Sequence, residues 1–157
     1  MIQIRAAANA DEGQVDAIQH ACLPAAHRYR YSQNIGVPGT ANFVATDGAA
    51  VVGYISMLHS PPDLAGPYLW QRLKPYMAFV GVLPASRKHG VGARLVRQGV
   101  RSVVQEEHQL TWLECEEQVA GFYERLGYRR AAPSEVLAAV GLVPPGLVYS
   151  VSLADLR

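Results

Sequence analysis

AFVGVLPASRKHGVGARLVRQGV, Ala78 to Val100, is the stretch on which the fold turns. An apolar run reaches Leu83 and stops at Pro84. Arg87, Lys88 and His89 follow, then Gly90 and Gly92 one residue apart. Beyond them Val96, Val100, Val103 and Val104 fall on one side of a 3.6-residue period, with Arg94, Arg97, Gln98, Arg101 and Gln105 on the other. That is a strand from Tyr76 to Leu83 with the composition of one buried on both faces, a turn, and an amphipathic helix from Val91 to Glu107. The first amides of a helix have no partner of their own, and the dipole adds roughly half a positive charge there. Glycine tolerates positive φ and lets a ligand approach the backbone. Strand, turn, glycines and helix in this order make an anion site. Arg94 opposes the dipole in the first helical turn, which favours a bound anion. Read alone, the same residues also describe a plain helix start with solvated arginines.

Two familiar phosphate loops do not fit. No Lys-Ser/Thr pair follows the glycines as a Walker A loop requires. Counting from Gly90 gives GVGARL, with leucine where a dinucleotide fingerprint needs its third glycine.

Outward from this stretch the chain alternates strand and helix signals. IQIR (Ile2–Arg5) reads as a strand. Asp11 to Cys22 reads as a helix capped by Asn9 or Asp11, and Leu23 to Asn34 as a second helix or helical turn. NFVAT (Asn42–Thr46) and VVGYISML (Val51–Leu58) read as strands joined by the turn DGAA. A proline-rich connection spans Ser60 to Pro75. After the central helix come the strand LTWLEC (Leu110–Cys115), the helix EQVAGFYERL (Glu117–Leu126) closed by Gly127, a strand start at YRRAA, and the strand Leu147–Leu153. Hairpins first and a strand–helix–strand–helix unit after predict one α/β (α+β) domain over residues 1–157, a central mixed β-sheet flanked by helices.

Composition narrows the function. The chain has 157 residues, half of them apolar, and a formal net charge of +1. That length buries a sizeable core, and so small a charge argues against nucleic acid as partner. No apolar run is long enough to span a membrane. Cys22 and Cys115 read as free thiols in a chain that opens without a signal-peptide pattern, so the expectation is a cytoplasmic protein. The histidines have no metal-ligand spacing, and Cys115, without a histidine partner in view, reads as packing.

VGVLPASRKHGVGARLV resembles the acyl-CoA loop of the GNAT N-acetyltransferases: a strand, a proline, then Arg/Gln-x-x-Gly-x-Gly/Ala opening a helix. Arg87, Gly90 and Gly92 match, with Pro84 at the usual proline. LTWLECEEQVAGFYERLGYRR is similar to the family's second signature, through Phe122, Tyr123, Leu126, Gly127 and Tyr128. The two signatures stand in the family's order and separation, and the resemblance runs through about Arg130.

The resemblance implies transfer of an acetyl group from acetyl-CoA to a primary amine by direct attack. It assigns the pyrophosphate to the backbone of Arg87, Lys88, His89, Gly90, Val91 and Gly92. The pantetheine arm falls to Val80, Gly81 and Val82, and an amide between Phe79 and Gly81 would polarise the carbonyl. Tyr123 would serve the leaving thiolate as proton donor. Glu116 and Val119 stand where the family often has asparagine and alanine. Glu114, at the carboxyl end of its strand, is the candidate general base, ahead of Tyr76, His59 and Asp63. The acceptor walls would be Leu23–Pro38, Ser60–Pro75 and the segment before the last strand, carrying Tyr29, Tyr31, Tyr68 and Trp70. The cluster Arg28, Arg30, Arg72 and Lys74 would suit an acidic group on the substrate. A small-molecule amine is the expected acceptor. A protein N-terminus or lysine, and a CoA-binding module without turnover, are the alternatives. The segment 131–147 is left without a role beyond shaping the acceptor pocket or pairing with a second subunit in a homodimer.

Overall fold

The alternating stretches of the first half pair as hairpins. β1 (Ile2–Ala6) runs antiparallel to β2 (Thr40–Asp47), which turns through Gly48, at φ 59°, into β3 (Ala50–Leu58). β3 pairs antiparallel with β4 (Tyr76–Val82), and β4 meets β5 (Thr111–Cys115) in the sheet's one parallel contact. β7 (Leu147–Val151) lies between β5 and the two-residue β6 (Arg129–Arg130), antiparallel to both. The order is β1-β2-β3-β4-β5-β7-β6. The computed structural model describes every residue, Met1–Arg157. No helix is long and apolar enough to cross a membrane.

Helices cover both faces. α3 (Val91–Val103) and α4 (Glu117–Arg125) pack on one, around Ile55, Met57, Met77, Leu95, Val100, Leu113 and Tyr149. α3 carries four valines and two glycines, all poor helix formers. Packing holds it instead: Val91, Leu95, Val96, Val100 and Val103 are buried, each worth about 1.5–3 kcal/mol. Gly99 lets it settle on the sheet, since a Cβ there would lie 2.8 Å from Ile55 Cδ1. The opposite face carries α1 (Glu12–Cys22) over Val44, Tyr54 and Phe79. The one-turn α2 (Leu69–Arg72) and α5 (Pro133–Val140) lie farther along it, over Tyr76 and Val148.

Several boundaries differ from the sequence reading. α3 stops at Val103, not Glu107. The Gln109 side chain takes the Gln105 N–H at 2.9 Å and closes a turn, and the carboxylates of Glu106 and Glu107 would oppose the negative end of a longer helix. Leu23–Asn34 holds only a 3-10 turn at Tyr31–Asn34. The Gln19 side chain replaces helical pairing there, accepting from the Tyr31 N–H at 2.8 Å and donating to the Tyr29 carbonyl. Asp11 does not cap α1 with its side chain; it reaches back to the Ala8 N–H at 2.8 Å and to Arg5 at 2.7 and 2.8 Å. Gly127, at φ 93°, ends α4 as read. Within the segment 131–147, Pro133–Val140 forms the two-turn α5, closed by Gly141 at φ 73°.

Candidate active site

The RKHGVG loop folds as a row of unclaimed donors. Pro84–Ser86 forms a single 3-10 turn, Lys88 takes φ 67°, and Gly90, at φ 75°, caps the N-terminus of α3. A positive φ at lysine is uncommon and costs about 1–2 kcal/mol. Both residues turn successive amides toward one side. None of the N–H groups from Lys88 to Gly92 finds an acceptor inside the protein. With the dipole of α3 behind them, these amides are free to donate to an anion. Gly92 also lets α3 approach α4, since a Cβ there would meet Phe122 Cζ at 3.3 Å.

The loop stands above an opening in the sheet. β4 and β5 share one bridge, Tyr76 with Trp112, backed by the Trp112 N–H to the Pro75 carbonyl at 3.0 Å. Beyond it the strands diverge, and the edge of β4 from Met77 to Val82 pairs with no strand on that side. This corrects the expectation of a strand buried on both faces: Ala78, Val80 and Val82 are only half-buried, because β5 has left their side. Ala78 is an extra residue in β4, since Met77 faces Met57 and Phe79 faces Ser56. The bulge re-aims the strand. Met77, Val80 and Val82 pack toward α3 and α4, and Phe79 toward α1.

Tyr123 lies on α4 and is buried. Its ring stands edge-on to Phe122 at 5.1 Å and to Tyr128 at 5.5 Å. Its hydroxyl has one weak partner, Met77 Sδ at 3.9 Å. Burial pushes its pKa well above the ordinary phenol range, with the nearby Cys115 adding to the rise, so the proton stays on oxygen at neutral pH. Burial, then the neighbouring Glu117, also pushes the Cys115 thiol up to about 11. A thiol so fully protonated is no nucleophile.

Glu114 projects from β5 toward the α1 face. Its Oε2 accepts the Gly146 N–H at 2.8 Å, and Oε1 makes no bond within the protein. Tyr76, at the bridge, is buried, and its raised pKa comes first from that burial and next from the Glu114 charge. The other base candidates lie outside this group. His59 is exposed, and Asp63 is exposed and accepts the Ala65 N–H at 3.1 Å in its own turn.

Three more expectations meet different partners. Arg94 donates to the Ile2 carbonyl at 3.0 Å and so points toward β1, not the loop. Arg87 folds back, Nε donating to the Val82 carbonyl at 2.9 Å. Two residues of the basic cluster, Arg30 and Arg72, are held within the protein, while Arg28 is exposed. Arg30 pairs with Asp16 at 2.6 Å and Glu12 at 3.0 Å, and Arg72 donates to the Gly66 and Val140 carbonyls at 2.6 and 2.8 Å. Lys74 remains half-buried beside Ser60 Oγ at 3.2 Å, where desolvation lowers its pKa. Tyr31 is half-buried and stacked between His27 at 5.5 Å and Phe79 at 5.0 Å. Glu116 and Val119 are exposed at the start of α4. No local pattern marks the Glu114–Gly146 contact, although a glycine stands directly after Pro144-Pro145.

A loop of free amides at a helix start thus stands beside a splayed parallel strand pair. Residues 38–130 match the family description "Acetyltransferase (GNAT) domain", and the chain belongs to that family. No curated protein sequence matches it. Among solved structures, NAA60 of Arabidopsis thaliana with a bisubstrate analogue superposes with a TM-score of 0.72 at 13% identity, over 99% of each chain. The ribosomal-protein-S18-alanine N-acetyltransferase of Escherichia coli gives 0.69 at 14% identity, over 98% of this chain and 95% of that one. A GNAT family acetyltransferase from Brucella melitensis in complex with acetyl-CoA gives 0.64 at 17%, over 100% and 91%. At these identities the likeness establishes the fold.

Proposed function

We propose that this protein transfers the acetyl group of acetyl-CoA to a primary amine of a small molecule. The observation that carries this reading is the unbroken run of acceptorless amides from Lys88 to Gly92, set over the unpaired edge of β4. The donor set fits coenzyme A: amides and a helix dipole for the pyrophosphate, strand backbone around Val80–Val82 for the amide-bearing arm. Acetyl-CoA supplies an activated thioester carbonyl. An amide between Phe79 and Gly81, next to the Ala78 bulge, polarises that carbonyl. Glu114 Oε1 takes a proton from the incoming ammonium, directly or through water. Tyr123 holds a proton at its hydroxyl and donates it, or a hydrogen bond, to the departing sulfur. Burial that raises the phenol also raises a thiol held beside it, so the two stay matched. Tyr76 lines the apex between them.

The test is a calorimetric titration with CoA and acetyl-CoA, followed by thiol release against a panel of primary amines. Micromolar binding and amine-dependent thiol release are expected. Absence of binding at millimolar CoA sinks the reading.

A further inference from the structure

Gly146 makes two demands on its surroundings that backbone conformation does not explain. Its φ is not among the positive values in the chain, so no left-handed geometry calls for glycine there. What calls for it is space. A Cβ on residue 146 would lie 2.8 Å from Glu114 Cγ, 2.9 Å from Oε2 and 3.1 Å from Cδ. The residue's N–H is spent on the same side chain, as the 2.8 Å donor to Oε2. A bond from an amide to a carboxylate is charge-assisted and short-ranged, so it sets orientation as well as energy.

The donor is itself fixed from both sides. Pro144 and Pro145 precede it with restricted φ, and Leu147 after it enters the β7 ladder opposite Cys115. Glu114 faces Val148 in that ladder, so Gly146 reaches it diagonally, just past the end of β5. Two residues before Glu114 is Trp112, which forms the sole bridge to β4. The carboxylate therefore stands at the point where the strands begin to part, close enough to Tyr76 for its charge to hold that phenol's proton.

We infer that Gly146 is a positioning residue for the acceptor step: its N–H and its missing side chain together pin one oxygen of Glu114 and aim the other at the apex of the cleft. The inference rests on the reading of Glu114 as the group that receives the acceptor's proton. It gives the segment 131–147 a task, since α5 and the two prolines deliver that one amide. It also bears on substrate class. A carboxylate with a single free oxygen suits one ammonium group, whereas a guanidinium fork asks for two.

The experiment compares Gly146→Ala, Glu114→Gln and the double variant in the full chain. The probes are acetyl-CoA with putrescine, tyramine, an aminoglycoside and a peptide with a free N-terminus. Amide exchange of residues 142–147 is followed in parallel. Alanine keeps the N–H but forces the Glu114 side chain to shift by roughly 1 Å, a displacement that can cost about a hundredfold in rate. In Gly146→Ala we expect kcat with the best amine to fall tenfold to a hundredfold, acetyl-CoA affinity to stay within twofold, and residues 142–147 to exchange faster. Glu114→Gln keeps an acceptor oxygen but loses the charge, so exchange should rise less than in Gly146→Ala while kcat falls. The double variant should be no slower than Glu114→Gln. Parental kcat in Gly146→Ala beside an impaired Glu114→Gln overturns the inference, as does a full additional loss in the double variant. Parental kcat in Glu114→Gln instead removes the proton-acceptor reading, and the inference with it.

Discussion

Replacing Gly90 in two steps separates backbone strain from charge at the phosphate loop. Gly90 caps α3 at φ 75°, and a Cβ built there meets nothing within 4 Å. Gly90→Ala therefore adds no clash. Its cost is the left-handed backbone alone, about 1–2 kcal/mol of stability. Gly90→Glu carries the same strain and adds a negative charge amid the free amides of Lys88–Gly92. Two like charges about 6 Å apart repel by about 3 kcal/mol at an effective dielectric of 20 and about 0.7 kcal/mol in bulk water. For a partly exposed loop the pyrophosphate should thus bind at least tenfold more weakly in Gly90→Glu than in Gly90→Ala. The assay is calorimetric titration of both variants with CoA, with thermal unfolding to confirm equal stability. Raising the salt about tenfold, from about 0.05 to about 0.5 M, should narrow the gap by screening. If both variants bind CoA within twofold of each other at low salt, phosphate does not sit on this loop.

Tyr123→Phe should lower kcat by about a hundredfold or more with acetyl-CoA affinity unchanged, and it should not lower the melting temperature, because the lost hydroxyl touches only Met77 Sδ. Unchanged single-turnover kinetics would remove Tyr123 from the proton step. Tyr128 is buried and its hydroxyl has no partner, so Tyr128→Phe should leave stability unchanged or raise it by about 1–3 kcal/mol; a clear loss in denaturant titration would show that the hydroxyl is satisfied in solution. Asp11 is held below the usual carboxylate range, first by its hydrogen bonds from Arg5 and then by the Ala8 amide, against the opposing effect of burial. Its folded pKa is depressed, so its stabilisation is present above the unfolded pKa of about 3.9 and is lost as the pH falls through the folded value. Asp11→Asn should therefore lower stability at pH 7 and flatten the acid limb of a pH–stability curve below about pH 4; an unchanged acid limb would refute the assignment.

The RKHGVG turn and the helix start after it were legible because their determinants are local. Pro84, Gly90 and Gly92 fix a turn and a helix start within a few residues, and free amides follow from any helix start. The Phe122–Tyr128 signature was legible for the same reason: one helix, one glycine cap, one aromatic pair. Arg94 shows where local reasoning stops. Its position in the first turn suggested a phosphate partner, yet its guanidinium serves Ile2, whose carbonyl is brought near only by the β1–β2 pairing. Arg30 and Arg72 were likewise counted for a substrate and are held by groups far off in sequence or on another element. Leu23–Asn34 takes the helical-turn alternative, at Tyr31–Asn34, for a similar cause, since the Gln19 amide offers its backbone another partner.

The sequence by itself determined the class of each half of the sheet, the glycine-capped helix start of α3 and the tyrosine on α4, because periodicity, capping and glycine conformation act over one element at a time. Only the tertiary structure decided that β5 leaves β4 after a single bridge, that Ala78 bulges, that β7 slips between β5 and β6, and that Glu114 meets Gly146. Those outcomes depend on which strand edge finds which partner. That choice is made by burial and backbone pairing between residues about 20 to 40 positions apart, which no local pattern encodes.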